Sequence, residues 1–290
     1  MCVKKLFLIF LTLLSLNSAL PQIKEIYSFQ EAHEALESAD SSTLVAFDCD
    51  DTLIVSHEPL LNFFNHLQCY SFYDKFFMFY NLITPTLSLV IRRNFSTYKN
   101  ILQSKIWEKT HYHPTENYIV DIIRKLQQKG VKFITLTNQS TRDFEIIPDM
   151  RIWRYKKLCE CGIDFSSSFD IAEIFFKEFE PKPIYGYPGF YKGILMSAGH
   201  SKGKVLGAFL DHIKFKPSKI LFFDDLKTKN KEVGSEAEKR KIPCECFWYR
   251  YVTKHREKID REIVKIQLKY LLKSGIFLNC EEIQEGILLP

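Results

Sequence analysis

Short apolar runs recur along the chain and are separated by longer segments with amphipathic spacing. The runs Thr43–Phe47, Val131–Leu136 and Lys219–Phe223 have the length and the β-branched and aromatic content of buried strands. Helices are predicted at four places, where apolar residues recur at helical spacing: within 22–41, 118–126, 202–214 and 256–273. Helices that alternate with buried strands predict the α/β class, with a parallel sheet covered on both faces.

Two segments depart from this rhythm of strands and helices. Residues 55–111 are rich in Phe and Tyr and predict a helical cap inserted into the core. Residues 170–195 carry closely spaced Tyr, Gly and Pro and predict a smaller second insertion, either a β-hairpin or an irregular flap. The core is then expected from residues 20–54 and 112–290, with the second insertion lying inside it.

Residues 1–19 have the layout of a secretory signal peptide. Lys4 and Lys5 are followed by the apolar run Leu6–Leu14 and then by small and polar residues. A spanning helix needs roughly 20 apolar residues, so this shorter run favours cleavage over a stable membrane span. The sequence therefore predicts export, to the periplasm or to the outside of the cell.

The composition is that of a folded globular protein, with 46% hydrophobic and 26% charged residues. The net charge is +5, and removal of residues 1–19 takes away two lysines and leaves +3, which gives no electrostatic case for binding nucleic acid. Because disulfides persist outside the cytosol, the cysteines of an exported protein are expected to form at least one disulfide, whose connectivity the sequence leaves open. The alternative is a zinc site built from the pairs Cys159/Cys161 and Cys244/Cys246.

The tetrad Asp48-Cys49-Asp50-Asp51 follows the first apolar run directly and brings three carboxylates together. Open α/β sheets place their chemistry at this end of their strands. Two like charges about 4 Å apart repel by roughly 4 kcal/mol at an effective dielectric near 20. The crowding therefore requires either a raised pKa or a bound cation, and oxygen ligands favour Mg²⁺ or Ca²⁺ over zinc.

Three further polar motifs lie where strands end or a helix begins. Thr137-Asn138 follows the second strand, Ser201-Lys202-Gly203-Lys204 opens a helix, and Asp224-Asp225 follows the third strand. Taken singly, each motif is typical of a turn, a helix start or a solvated surface. Taken together and in this order, they predict a phosphate and metal site at one edge of the sheet.

With these motifs the chain resembles the haloacid dehalogenase-like superfamily of phosphatases. The four motifs of that superfamily are matched in order by Asp48-Cys49-Asp50-Asp51-Thr52, Thr137, Lys202 and Asp224-Asp225. Lys192 and Lys204 are the alternative matches for the third motif. The resemblance covers about residues 43–249 and implies a three-layer Rossmann-like core with a parallel sheet, a helical cap and a smaller second insertion.

The resemblance implies a Mg²⁺-dependent phosphatase that hydrolyses a phosphate monoester through an aspartyl-phosphate. Asp48 would be the nucleophile, and Asp50 the acid and base. Thr137 and Lys202 would bind the transferring phosphoryl group, with Asn138 beside the substrate. The metal would be held by four residues, of which Asp50 contributes its main-chain carbonyl: Asp48, Asp50, Asp224 and Asp225.

The same residues are compatible with other functions. Asp50 argues against a dehalogenase, since dehalogenases of this fold lack a second aspartate there. A phosphomutase would share all four motifs, and a secreted binding protein could keep the fold for the surface of its aromatic-rich insertion. The expected partner is a small-molecule phosphate ester, and the sequence predicts no oligomeric state.

Overall fold

An eight-stranded, mostly parallel sheet forms the centre of the computed structural model, which describes residues 23–66, 100–255 and 259–286. The chain has ten described strands: β1 Ile23–Ile26, β2 Thr43–Phe47, β3 Ile54–Ser56, β4 Tyr112–Pro114, β5 Lys132–Thr137, β6 Glu173–Phe175, β7 Gly189–Tyr191, β8 Ile194–Met196, β9 Lys219–Asp224 and β10 Cys244–Tyr249. Their order in the main sheet is β1-β10-β9-β2-β5-β8-β7-β6. In this order, neighbouring strands pair in parallel from β1 as far as β8. Strand β7 pairs antiparallel with β8, and β6 pairs antiparallel with β7.

Helices cover both faces of this sheet. In chain order the described helices are α1 His33–Glu37, α2 Pro59–His66, α3 100–109, α4 Asn117–Gln128, α5 Met150–Glu160, α6 Lys202–His212, α7 Lys227–Lys239, α8 Tyr251–Lys254, α9 Arg261–Ser274 and α10 Cys280–Gln284. The predicted α/β class is confirmed, and the arrangement is consistent with a Rossmann-like fold.

The side chains of β2 explain why the sheet is buried on both faces. Val45 and Phe47 pack into the apolar cluster that contains residues of α1 and α4, whereas Leu44 and Ala46 pack into the cluster formed with α6 and α7. Successive residues of a strand point to opposite faces, so a strand covered on both sides must be apolar throughout. This accounts for the uninterrupted apolar run by which the sequence predicted the strand.

The segment 170–195, predicted as a second insertion, contributes β6, β7 and part of β8. Its β7–β8 hairpin is joined to β5 through parallel pairing of β8, so these strands extend the main sheet. The segment 22–41 was predicted as helix only, and this was wrong for its start. Residues Ile23–Ile26 form the edge strand β1, which pairs with β10.

The structure describes the two ends of the predicted cap, residues 55–111. Strands β3 and β4 pair antiparallel there; β3 leads into α2, and α3 leads into β4. Residues 67–99 and the predicted signal peptide at 1–19 lie outside the described residues. The division of the chain into core, cap and second insertion stays a prediction. Within the described ranges, no helix is both long and apolar enough to cross a membrane.

The helix predicted within 256–273 corresponds to α9, and it packs against α2 and α3 at the two ends of the predicted cap. Its Val264 and Leu268 share an apolar cluster with Leu60 of α2 and Ile106 of α3. Gln267 adds a buried polar tie, because its Oε1 accepts a hydrogen bond of 3.1 Å from the main-chain N–H of Leu60. Helix α9 therefore supports both ends of the predicted cap.

Candidate active site

The ends of β2, β5 and β9 bring three of the predicted motifs to one edge of the sheet. Asp48 follows β2, Thr137 is the last residue of β5, and Asp224 is the last residue of β9. The parallel pairing extends one residue beyond β2, where the N–H of Asp48 donates to the carbonyl of Phe223 at 2.8 Å. The three motifs are thus neighbours through backbone pairing alone, as the sequence analysis expected.

Lys202 lies between the first and the last of these motifs. Its Nζ donates to Oδ1 of Asp48 at 2.6 Å and to Oδ2 of Asp224 at 2.7 Å, and only 3% of its side chain is exposed. Burial opposes the charged form of the lysine, but the two carboxylates outweigh burial and raise the pKa of Lys202 above its ordinary value. The lysine is therefore a built-in counter-charge of the site.

The local sequence explains how α6 presents this lysine. Gly203 follows it at the point where α6 and α7 come close, and a Cβ at Gly203 would lie 2.1 Å from the carbonyl oxygen of Glu232. The Glu232 carboxylate in turn accepts a hydrogen bond of 2.8 Å from the main-chain N–H of Lys202. Only glycine permits this approach, which fixes the start of α6 against α7.

The other two candidate lysines do not reach the site. Lys192 lies in the turn between β7 and β8, where its ammonium is over the rings of Tyr155 and Tyr191. Lys204 is exposed on α6. Of the three lysines considered from the sequence, the structure thus brings Lys202 to Asp48.

Asp48, Asp224 and Asp225 offer three carboxylate oxygens that all lie within 4.8 Å of one another. Burial, together with the charge of Asp48, raises the pKa of Asp224 to about 7. Burial, Asp48 and Asp224 raise the pKa of Asp225 to about 9. The single charge of Lys202 does not balance three ionised carboxylates. The hard oxygen donors of these carboxylates fit a Mg²⁺ ion.

Hydrogen bonds from neighbouring segments orient the Asp224-Asp225 pair. Oδ1 of Asp224 accepts from the N–H of Leu226 at 2.8 Å, and the Asn230 amide donates to the Asp224 carbonyl at 3.0 Å. The N–H of Asp225 donates to Oγ1 of Thr52 at 3.2 Å, which ties the third strand end to the loop of the acidic tetrad.

The tetrad itself folds as a tight loop. Asp51 adopts a left-handed backbone conformation with φ of 58°, which Asp tolerates better than most residues. The N–H groups of Leu53 and Ile54 both donate to the carbonyl of Cys49, at 2.9 and 3.0 Å. The Cys49 side chain is fully buried, and burial raises the pKa of its thiol well above the ordinary value, so Cys49 is a packing residue and not a reactive thiol.

Asp50 pairs with an arginine and is not one of the three clustered carboxylates. Its two oxygens accept hydrogen bonds of 2.8 and 2.9 Å from the guanidinium of Arg154 on α5. Arg154 also donates through Nε to the side chain of Gln139 at 2.8 Å. Neither Arg154 nor Gln139 could be predicted as a site residue from the sequence, because neither lies in one of the four motifs.

Thr137 and Asn138 complete the set of predicted site residues. Thr137 is buried at the end of β5. Oδ1 of Asn138 accepts hydrogen bonds from the N–H of Gly199 at 2.8 Å and from the hydroxyl of Ser197 at 3.1 Å. The amide of Asn138 is therefore tied to the loop between β8 and α6, which leads to Lys202.

A cavity of about 570 Å³ opens above these residues. Its described lining includes five of the seven predicted site residues, together with Arg154 and residues of α3 in the predicted cap segment: Asp48, Asp50, Thr137, Asn138, Lys202, Arg154, Asn100, Gln103 and Trp107. The volume lies in the range of small-molecule sites, about 300–1,000 Å³.

Comparison with known proteins gives a family and two similar chains. The family described as Protein of unknown function (DUF2608) matches residues 25–284. Uncharacterized protein RP296 of Rickettsia prowazekii (strain Madrid E) is 26% identical over 223 residues, which cover 76% of this chain and 75% of that protein. The solved haloacid dehalogenase-like family hydrolase SP0104 from Streptococcus pneumoniae is 13% identical with a TM-score of 0.34, and the similarity covers 79% of this chain and 99% of that one. Neither the family description nor the name of the Rickettsia protein states an activity.

Proposed function

The chain belongs to the DUF2608 family, whose function is unknown, and we propose that this member is a Mg²⁺-dependent phosphatase. The reaction would be hydrolysis of a phosphate monoester through an aspartyl-phosphate on Asp48. One observation carries the proposal: buried Lys202 bridges Asp48 and Asp224, with Asp225 and Thr137 at the same sheet edge. The order of these motifs, which resembles that of the haloacid dehalogenase-like superfamily, is further support.

Asp48, Asp224 and Asp225 would hold the Mg²⁺ through their carboxylates, and Asp50 would add its main-chain carbonyl. The ion, when bound, would supply positive charge that stabilises the oxygens of the transferring phosphoryl group. In the metal-free protein this charge is supplied in part by Lys202, which contacts two of these carboxylates.

Asp48 would attack the phosphorus with one carboxylate oxygen, and the bond between phosphorus and the leaving oxygen would break. Lys202 has three N–H donors, of which two bond to Asp48 and Asp224, and the third would bind a phosphoryl oxygen. Thr137 would bind another of these oxygens through its hydroxyl. Fixed donors aimed at the developing charge are the main source of catalysis in phosphoryl transfer.

Asp50 would serve the proton transfers of both steps. It would give a proton to the departing alcohol, and then take one from the water that attacks the phosphoenzyme and restores the Asp48 carboxylate. Its side chain suits this task because 53% of it is exposed and it lines the cavity. Asn138 lines the same cavity and would contact the substrate.

The substrate would be a small-molecule phosphate ester, since the cavity has the volume of a small-molecule site. We further propose that the protein is exported, on the strength of the predicted signal at residues 1–19. Sequencing the N-terminus of protein recovered from the periplasm or the medium tests this. Retention of residues 1–19 on protein confined to the cytosol would refute it.

Hydrolysis of 4-nitrophenyl phosphate with and without Mg²⁺ tests the proposed activity. The wild type should be active only with Mg²⁺, and Asp48→Asn should abolish turnover. Asp121→Asn, a change at an exposed aspartate on α4, is the matched control and should be fully active. Unchanged activity in Asp48→Asn would contradict the nucleophile, and inactivity of the wild type on a broad panel of phosphate esters would favour a binding protein.

A further inference from the structure

Arg154 is a buried cation that the proposed chemistry leaves without a task. It lies on the second turn of α5, and 5% of its side chain is exposed, whereas its partner Asp50 is 53% exposed. The two bonds between them run in parallel, from the two terminal nitrogens of the guanidinium to the two oxygens of the carboxylate. The buried guanidinium of Arg154 thus holds the more exposed carboxylate of Asp50 at the wall of the cavity.

The guanidinium is itself fixed by three neighbours. Nε donates to Gln139 at 2.8 Å, and a terminal nitrogen lies 3.4 Å from Sγ of Cys49. The ring of Tyr112 lies 5.8 Å from the central carbon of the guanidinium. Burial opposes the charge of Arg154, but the Asp50 carboxylate outweighs it and raises the pKa of Arg154 above its ordinary value. Arg154 therefore stays a charged and immobile group at this place.

A purely structural role would account for such a pair less well. Burying a charged guanidinium costs several kcal/mol. A half-exposed carboxylate offsets less of this cost than a buried one would, because water screens its attraction to the guanidinium. What the bidentate geometry adds is orientation, since two parallel bonds fix both the position and the rotation of the carboxylate. Without them, a half-exposed aspartate would sample several rotamers.

We propose that Arg154 is a positioning residue that fixes the Asp50 carboxylate on the wall of the cavity for its part in the reaction. The inference rests on the proposed phosphatase function and adds to it a residue from outside the four motifs. Gln139, the residue after Asn138, would in turn orient Arg154 through the hydrogen bond that it accepts from Nε. A misplacement of about 1 Å can slow an enzyme about 100-fold, so the loss of this support should be measurable.

Steady-state kinetics on 4-nitrophenyl phosphate with Mg²⁺ test the role through a double-mutant cycle. Arg154→Gln should lower kcat about 10- to 100-fold with little change in KM, because Asp50 takes part in turnover rather than in binding. In the Asp50→Asn background the same change should have no further effect, since Arg154 acts through Asp50. Arg154→Lys, which keeps the charge but cannot bond to both oxygens, should be intermediate.

The control is Arg151→Gln on the same helix. Arg151 also pairs with carboxylates, Asp149 and Glu173, but it lies outside the described lining of the cavity, and its loss should leave kcat unchanged. Calorimetry should show the same Mg²⁺ affinity in wild type and Arg154→Gln, and circular dichroism should show that each variant is folded. If Arg154→Gln does not fold, Arg154→Lys carries the cycle.

Equal losses in the presence and absence of the Asp50 carboxylate would assign Arg154 a structural role and overturn the inference. An active wild type that is indifferent to Arg154→Gln would overturn it as well, while leaving the proposed function standing. An inactive wild type would overturn both. A loss of kcat confined to the background that keeps Asp50 would establish the positioning role.

Discussion

Replacing Lys202 by Met tests whether the lysine is the counter-charge of the carboxylate cluster. The change keeps most of the buried stem and removes the ammonium that bonds to Asp48 at 2.6 Å and to Asp224 at 2.7 Å. Removing one partner of a buried ion pair typically costs about 3–5 kcal/mol, because the other charge is left buried and unpaired. The two bonds share one ammonium, so their costs do not add.

We therefore expect Lys202→Met to lower the free energy of unfolding by about 3–5 kcal/mol in the absence of Mg²⁺. A domain of this kind has a total stability of about 5–15 kcal/mol, so the variant should still fold. Urea denaturation at pH 8 measures the loss. Saturating Mg²⁺ should recover part of it, since the ion would neutralise the same carboxylates.

The matched control is Lys204→Met, two positions further along α6, where the side chain is exposed. A surface change of this kind should stay within about 0.5 kcal/mol of the wild type. With Mg²⁺ present, Lys202→Met should also slow turnover about 10²- to 10³-fold, the usual effect of losing one donor to a developing charge. Stability and activity equal to those of Lys204→Met would refute the reasoning.

Three further predictions concern the carboxylates. Asp50→Asn should slow turnover while leaving the Mg²⁺ affinity measured by calorimetry intact, because its expected metal contact is a main-chain carbonyl; lost affinity would contradict this. In the metal-free protein, burial and Asp48 raise the pKa of Asp224 to about 7 and, with Asp224, that of Asp225 to about 9, so the native state holds protons that the unfolded state has released above about pH 4. The free energy of unfolding should accordingly fall between about pH 4 and pH 9 and level off above that, and a flat profile in urea titrations would argue against the shifts. Asp225→Asn should flatten the upper part of that profile and weaken Mg²⁺ binding; an unchanged Mg²⁺ affinity would exclude Asp225 as a ligand.

The sheet edge could be predicted from the sequence because β2, β5 and β9 are covered on both faces. Each must then be a continuous apolar run, and the polar residue that ends it marks the carboxyl edge of the sheet. Asp48 and Thr137 stand out on this ground alone. The edge strand β1, only four residues long, carries too little pattern to be distinguished from a helix start.

The pair of Asp50 and Arg154 could not be predicted in this way. Its members are 104 positions apart, and the arginine lies within a helix, where spacing marks it as one of several basic residues. The sequence favoured Lys202 over Lys192 and Lys204 by its motif match, and the structure supports this preference, because Lys192 lies in the turn between β7 and β8 and Lys204 is exposed on α6. Contacts between distant segments leave no local signal in a single sequence.

The central claim is that Asp48 carries the phosphoryl group during turnover. Acid quenching of the wild type during hydrolysis of 4-nitrophenyl phosphate with Mg²⁺, followed by mass spectrometry of its peptides, measures this directly. We predict one added phosphoryl group on the peptide that contains Asp48, removable by hydroxylamine and absent from Asp48→Asn. Turnover with no such adduct, or with the adduct on another residue, would contradict the account.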